Sequence, residues 1–167
     1  MKTTLKLMTV LFAILLISCG GEEEKKKEKF SYQKKAATEK TTTPKAEKIP
    51  ASKRVDLATK GVGPIKSITL AADVDQKMAT HGAEVFKKMC TACHRADKKF
   101  IGPAPTNILE RRSPEWVMNM ILNPEEMVQK DALAKELLIE FNGSPMANQS
   151  LSEEDARAVL EYFRTLK

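Results

Sequence analysis

The sequence predicts an all-α domain in its second half. Beyond Asp75, apolar side chains recur at the three- and four-residue spacing that is typical of amphipathic helices. Two dipeptides there, Ser113-Pro114 and Asn123-Pro124, each resemble an N-cap followed by proline at the first helical position. No segment alternates apolar and polar residues as a half-buried strand would. The sequence therefore predicts several helices and no sheet.

Local signals also bound the later helices. A middle helix is expected to end at Asn142-Gly143, because glycine favours the left-handed conformation found after helix ends. The last helix is expected to begin at Ser152, and Asp155 three residues later approximates a capping box. The apolar positions of these two helices are Leu133, Leu137, Leu138 and Phe141 in the first, and Val159, Leu160, Phe163 and Leu166 in the second.

Composition divides the chain into four segments. Residues 1–18 resemble a signal peptide, residues 19–60 are rich in Lys, Glu and Thr, residues 61–74 are more apolar, and residues 75–167 carry the helical pattern. The second segment is too polar to bury a core, so a flexible tether is expected, followed by a possible extended strap over 61–74. The domain itself has a formal charge of −1, although the chain carries +6. Basic residues interleaved with glutamates, with few aromatics, do not favour nucleic-acid binding.

The N-terminus indicates export and a lipid anchor. Lys2 and Lys6 precede an apolar run over residues 7–17, which is too short to span a bilayer, since that needs about 20 residues. The run ends at Ser18-Cys19-Gly20, which resembles the lipobox of bacterial lipoproteins. This resemblance implies acylation of Cys19 and attachment to a bacterial membrane, facing the periplasm or the cell exterior. The alternative is an ordinary signal peptide with an incidental cysteine.

Five consecutive residues form the most informative motif, Cys90-Thr91-Ala92-Cys93-His94. Two thiols at this spacing can each form a thioether with one vinyl group of a haem, and the adjacent imidazole can then ligate the iron. Export supports this interpretation, because bacteria attach such haem outside the cytoplasm. The motif predicts one covalently bound haem c.

Two other chemistries use a Cys-x-x-Cys pair. A thioredoxin-like redox pair would lie in a βαβ pattern, which the surrounding sequence lacks. A structural zinc ion requires four Cys or His ligands, and the remaining histidine is His81 on the preceding helix. Both alternatives therefore fit the sequence less well than haem.

The surroundings of the motif resemble the small monohaem cytochrome c family. Gly82, Phe86 and Cys90 are four residues apart and so share one helix face, similar to the family's N-terminal helix. The resemblance implies the cytochrome c fold, in which several helices surround one haem. It also implies that this helix packs against a C-terminal helix bearing an aromatic pair, here Tyr162-Phe163.

The resemblance implies a second axial ligand, commonly methionine in cytochromes c. Met146 is the candidate, because it lies in the Gly/Pro/Asn-rich stretch 142–148, at a distance from His94 that suits the family's ligand loop. His81 is the alternative, as a second histidine ligand. The other methionines considered, which lie on predicted helices and are expected to fill the core, are Met78, Met89, Met118, Met120 and Met127.

Two further stretches resemble family segments around the haem. Ile101-Gly102-Pro103 is similar to the segment whose proline carbonyl accepts a hydrogen bond from the proximal histidine, which implies that Pro103 orients His94. The stretch from Arg111 to Trp116 is similar to one in which arginine and tryptophan contact the haem propionates. Arg112 and Trp116 are the candidates for this role, although two adjacent arginines leave the choice between them open.

The expected function is single-electron transfer without substrate chemistry. The expected partners are a redox donor and acceptor, such as a respiratory complex, a terminal oxidase or a nitrogen-oxide reductase, reached at the membrane through the lipid anchor. A haem-based gas or ligand sensor with a labile sixth ligand is the alternative. A peroxidase is disfavoured, because the sequence offers no evident distal acid-base pair.

Overall fold

The computed structural model describes residues 49–167, which contain five α-helices and one short 3₁₀-helix. In chain order they are α1 (Gln76–Met89), the 3₁₀-helix (Ile108–Glu110), α2 (Pro114–Leu122), α3 (Pro124–Lys130), α4 (Ala132–Glu140) and α5 (Glu153–Thr165). This part of the chain has no strand, and the predicted all-α class is confirmed. None of its helices is long and apolar enough to cross a membrane.

The predictions for the N-terminal segments fall largely outside these residues. The signal peptide over 1–18, the anchor at Cys19 and the tether up to residue 48 all precede the described part of the chain. They stay predictions from the sequence.

The starts of the five α-helices follow local side-chain chemistry, with one exception. The Ser113 and Ser152 hydroxyls accept hydrogen bonds from the N–H groups of Trp116 and Asp155, at 3.1 and 3.0 Å. Asn123 precedes α3 as predicted, but its side chain does not cap that helix. Its amide nitrogen instead donates to the Glu126 carboxylate at 2.6 Å. The cap of α3 is therefore replaced by a side-chain pair within its first turn.

Helices α1 and α5 pack together at the point marked by Gly82. A Cβ atom at this position would lie 1.9 Å from the carbonyl oxygen of Ala158 on α5, so the contact requires glycine. One turn further along α1, the Phe86 ring lies 5.4 Å from that of Tyr162 and 5.7 Å from that of Phe163, centroid to centroid. The predicted pairing of the first and last helices is confirmed.

The predicted strap packs onto the domain through a buried amide. Asn119 on α2 is buried, and its Oδ1 accepts from the Ile65 N–H at 2.9 Å. Its Nδ2 donates to the carbonyl oxygens of Lys60 and Ile65, each at 2.9 Å. Further along, the Arg164 guanidinium of α5 donates to the carbonyl oxygens of Ala71 and Ala72. Both ends of the segment 61–74 are thus tied to helices.

The ordered segment begins earlier than the sequence predicted. Residues 49–60 were assigned to the tether, but Ala51 is 5% exposed and belongs to the core. The Arg54 guanidinium pairs with Glu136 on α4 at 2.6 Å. The predicted boundary at Lys60 is therefore corrected to no later than Ile49. This segment is held by hydrogen bonds from its backbone and by ion pairs, so its polar composition gave no sign of burial.

Candidate functional site

All seven residues that the sequence assigned to a cofactor line one cavity of about 230 Å³. The cavity lies among the loop after α1, helices α2 to α4 and the loop before α5. The seven residues are Cys90, Cys93, His94, Pro103, Arg112, Trp116 and Met146. Much of the remaining wall is apolar and includes Met89, Ile101, Ile108, Met120, Val128, Leu137, Leu138 and Phe141. Such a wall suits a large apolar ring system.

The two thiols reach the cavity because the chain turns sharply at the end of α1. The Cys90 N–H closes the last turn of the helix on Phe86, at 2.9 Å. The N–H groups of Cys93 and His94 then both donate to the Cys90 carbonyl oxygen, at 3.1 and 2.9 Å. This turn places both thiols and the imidazole of the motif in one wall.

The environment of Cys90 argues against a thiol redox site. Burial raises the pKa of its thiol to about 11, because a thiolate is poorly solvated in an apolar wall. Thiol–disulfide exchange requires the thiolate, which reactive Cys-x-x-Cys pairs obtain by a lowered pKa. The chemistry of Cys90 therefore does not favour the thioredoxin-like alternative.

His94 is held in one tautomer and one orientation. Its Nδ1 lies 2.8 Å from the Pro103 carbonyl oxygen, so Nδ1 carries the hydrogen and donates it. In the neutral imidazole this tautomer leaves the lone pair on Nε2, which is the atom required of a metal ligand. The Gly102 N–H donates to the Cys93 carbonyl oxygen at 2.9 Å and fixes the loop. The geometry agrees with the orienting role predicted for Pro103.

Gly102→Ala is expected to disturb this contact. The added Cβ would lie 2.5 Å from His94 Cε1 and 2.9 Å from Nδ1, so the ring must move away from Pro103. Loss of the Nδ1–H donor bond makes the imidazole a weaker electron donor to iron, which disfavours the ferric state. We expect the reduction potential to rise and the thermal midpoint to fall. Pro103→Ala keeps the accepting carbonyl and is the control; an unchanged potential in Gly102→Ala would contradict this role for the glycine.

The cavity brings three methionines together rather than one. Met146 lies in the loop between α4 and α5, whereas Met89 belongs to α1 and Met120 to α2. Met127 does not reach the wall, since it is fully buried and its sulfur accepts from the Val62 N–H at 3.0 Å. Met118 is also buried in the core. Met146 stays the predicted ligand, because its loop can adjust its approach where a helix cannot.

His81 does not take part in the cavity. Its Nε2 lies 2.8 Å from Asp155 Oδ1, at the exposed start of α5. The cavity wall does not include it. The bis-histidine alternative therefore loses its candidate ligand.

Two adjacent arginines line the cavity, and each has one buried nitrogen without a hydrogen-bond acceptor. The Nε atoms of Arg111 and Arg112 are buried and have no protein acceptor, although the terminal nitrogens of both donate to backbone carbonyls. Unpaired buried donors are costly, and charged N–H groups bind carboxylates strongly. Two guanidinium groups in one wall suit the two propionates of a haem, and the choice between Arg111 and Arg112 stays open.

The role predicted for Trp116 is revised. Its indole N–H donates to Asp131 Oδ1 at 3.2 Å, and the side chain is 4% exposed. That hydrogen is therefore not available to a propionate. The ring instead supplies apolar wall, with the Arg112 guanidinium carbon 5.4 Å from its centre.

Comparison with known proteins shows the family of the chain and its cofactor. A model of the family described as Cytochrome c matches residues 79–167, which contain most of α1, the motif, the Met146 loop and α5. The chain belongs to the cytochrome c family. Members of this family bind haem c covalently, and Cys90 and Cys93 form its Cys-x-x-Cys arrangement. The predicted cofactor and the cytochrome c fold are thereby confirmed.

Solved structures show the same likeness. The chain is 45% identical to a cytochrome c from Rhodothermus marinus, with a TM-score of 0.60, covering 62% of this chain and 88% of that one. An engineered variant of the Rhodothermus marinus protein matches at 44% identity and a TM-score of 0.59, covering 62% and 89%. The same engineered protein has been solved with a bound carbene intermediate. The search of curated proteins found no match.

One part of the site was missed by the sequence analysis. Ser52 lines the cavity, although it belongs to the segment assigned to the tether. A lone serine in a Lys- and Ala-rich stretch carries no local pattern that would distinguish it. Its position depends on contacts with residues more than 80 positions away in the chain.

Proposed function

We propose that this cytochrome c carries single electrons between membrane or extracytoplasmic redox partners, using a haem ligated by His94 and Met146. One observation supports it above others: a single apolar cavity is lined by both thiols of the motif, by an imidazole fixed through Pro103 and by a loop methionine. Those groups are the ones that attach a haem and fill both axial positions of its iron.

Each group has a separate part in this function. The bound haem supplies a reversible one-electron change at its iron. Cys90 and Cys93 would hold it covalently, and His94 and Met146 would ligate its iron in place of small molecules. The apolar wall excludes water, so little solvent rearranges when the charge changes. Arg111 and Arg112 offset the negative charge of the propionates.

We further propose that the protein is exported and anchored through acylated Cys19. The charged start, the short apolar run and the lipobox-like Ser18-Cys19-Gly20 support this proposal. An anchored carrier would meet a respiratory complex, a terminal oxidase or a nitrogen-oxide reductase on the same membrane. Mass spectrometry of the mature N-terminus tests the anchor, since an unmodified Cys19 or a cleavage site elsewhere would contradict it.

The carrier function is tested on the exported holoprotein. We expect one haem per chain that resists acid-acetone extraction, a single one-electron step in a redox titration, and no carbon monoxide binding by the reduced protein. A ligand sensor with a labile Met146 would instead bind carbon monoxide readily. Ready binding by the wild-type protein would favour that alternative and count against the carrier.

The surface beside the motif suits an acidic redox partner. Phe100 and Ile101 are each 46% exposed, and Ile101 lines the cavity. The Arg95 guanidinium carbon lies 4.1 Å from the centre of the Phe100 ring, and Lys99 Nζ lies 4.6 Å from the centre of the Phe141 ring, which lines the cavity. The basic residues that flank the motif in the sequence are Lys87, Lys88, Arg95, Lys98 and Lys99.

Electron transfer to such a partner is expected to slow as salt is added, because the Debye length falls from about 10 Å at 0.1 M to about 3 Å at 1 M. Lys98→Glu should lower the second-order rate at low salt about tenfold, in the range of steering effects. Lys77→Glu, exposed at the far end of α1, is the control. Equal losses in the two variants, or a rate independent of salt, would contradict this docking surface.

A further inference from the structure

Residues 50–54 form a single tight turn at the edge of the cavity. The N–H groups of Lys53 and Arg54 both donate to the Pro50 carbonyl oxygen, at 2.9 and 3.0 Å. Within the turn, Ala51 is buried and Ser52 lines the cavity. A short polar turn is not stable alone, so its position depends on hydrogen bonds to the rest of the domain.

One side of the turn is held by a carboxylate at the end of α4. Glu140 accepts two hydrogen bonds from Ser52, one from the backbone N–H at 2.9 Å and one from the hydroxyl. Both residues are half-buried. Two bonds from one residue to one ionised carboxylate fix both the distance and the orientation of the turn.

The other side of the turn holds Arg112. Its Nη1 donates to the Arg54 carbonyl oxygen and its Nη2 to that of Ala51. Nη1 also donates to the Arg111 carbonyl oxygen at 2.7 Å. Arg112 is 1% exposed, and its Nε is the nitrogen of that guanidinium left without a protein partner.

We propose that Ser52 and Glu140 are positioning residues for the haem site, which act by holding the turn 50–54 on Arg112 and so fix the charge of that guanidinium in the wall of the cavity. The inference rests on the proposed function. It connects α4, the N-terminal segment and the arginine through hydrogen bonds that are all present in the structure. No side chain of the turn needs to touch the haem iron.

The expected consequence is electrostatic. A cation fixed in a buried wall favours the reduced haem, which carries one more negative charge than the oxidised form. If the turn loosens, its carbonyl oxygens leave the guanidinium, water replaces them and the charge is screened. The reduction potential should then fall, even though neither axial ligand has changed.

Ser52→Ala and Glu140→Asp, which keeps the negative charge but withdraws the carboxylate from Ser52, test this on the full-length holoprotein. We expect both to lower the reduction potential and to speed tryptic cleavage after Lys53, while the absorption spectrum keeps its wild-type form. Ser67→Ala is the matched control, because Ser67 is exposed on the same N-terminal segment and lies outside the cavity wall. In an Arg112→Lys background, Ser52→Ala should cause no further shift, since both changes act through one group.

Faster cleavage with an unchanged potential would overturn the proposal, because the turn would then be structural alone. An equal shift from Ser52→Ala in the Arg112→Lys background would also overturn it. Measurements on the wild-type protein separate failure of this proposal from failure of the proposed function. If the carrier function is wrong, the wild-type protein itself would lack a one-electron step in a redox titration or would bind carbon monoxide. Glu140→Asp keeps the test decisive if Ser52→Ala does not fold.

Discussion

Gly82→Ala is expected to destabilise the holoprotein by about 1–3 kcal/mol or more, the usual cost of overpacking a close contact. The new Cβ would lie 1.9 Å from the Ala158 carbonyl oxygen and 2.8 Å from the Val159 nitrogen. These are backbone atoms of α5 and cannot rotate away, so the two helices must separate. Separation would also part Phe86 from Tyr162 and Phe163, which pack at centroid distances of 5.4 and 5.7 Å.

Helix propensity alone predicts the opposite sign for the stability change in Gly82→Ala. On an exposed helix face, replacing glycine by alanine stabilises by about 1 kcal/mol. Denaturant unfolding of Gly82→Ala should therefore give a lower midpoint, whereas Glu84→Ala, on the exposed face of α1, should change it little. A midpoint equal to or above that of the wild type would show that the close crossing of α1 and α5 is wrong.

Met146→Ala is expected to convert the haem into a ligand-binding site. Alanine has no sulfur, so the sixth position of the iron is left to water or to an added ligand. Thioether ligation raises the reduction potential, and its loss should lower it. We therefore expect a lower potential and carbon monoxide binding by the reduced variant, with His94 and both thioethers retained.

Met120→Ala provides the control for Met146→Ala. Met120 lines the same cavity but lies on α2, so its substitution removes a methionine from the wall without removing the loop ligand. It should keep the wild-type resistance to carbon monoxide and lose stability by about 2–5 kcal/mol as a cavity-forming change. If Met120→Ala bound carbon monoxide and Met146→Ala did not, the sixth ligand of the iron would be Met120 on α2 and not Met146.

Local sequence signals located most of the fold and the cavity wall. Some signals act only on backbone groups close by in the sequence, so they can be recognised without the structure. They are the serine caps, proline at first helical positions and Asn142-Gly143. The pairing of Gly82 with α5 required the family resemblance, because periodicity indicates an apolar face but not its partner. The same limit applied to Met146, which loop context distinguished from methionines on helices.

Contacts between distant segments were beyond the sequence. Asp131 caps α4 through the Ala134 N–H at 2.8 Å and also accepts the indole hydrogen of Trp116, so one carboxylate decides the role of a predicted haem contact. The segment 49–60 is held by Arg112 and Glu140, far along the chain. Its composition is that of a solvated tether, and no apolar period marks it as part of the site.

The absorption spectrum of the oxidised wild-type holoprotein tests the central claim most directly. A haem ligated by His94 and Met146 should show the weak far-red band that arises from charge transfer between a thioether sulfur and ferric iron. The band should persist in Met120→Ala and disappear in Met146→Ala. A wild-type spectrum without it, or a high-spin spectrum with an exchangeable water, would contradict the assignment of this cavity to an electron carrier.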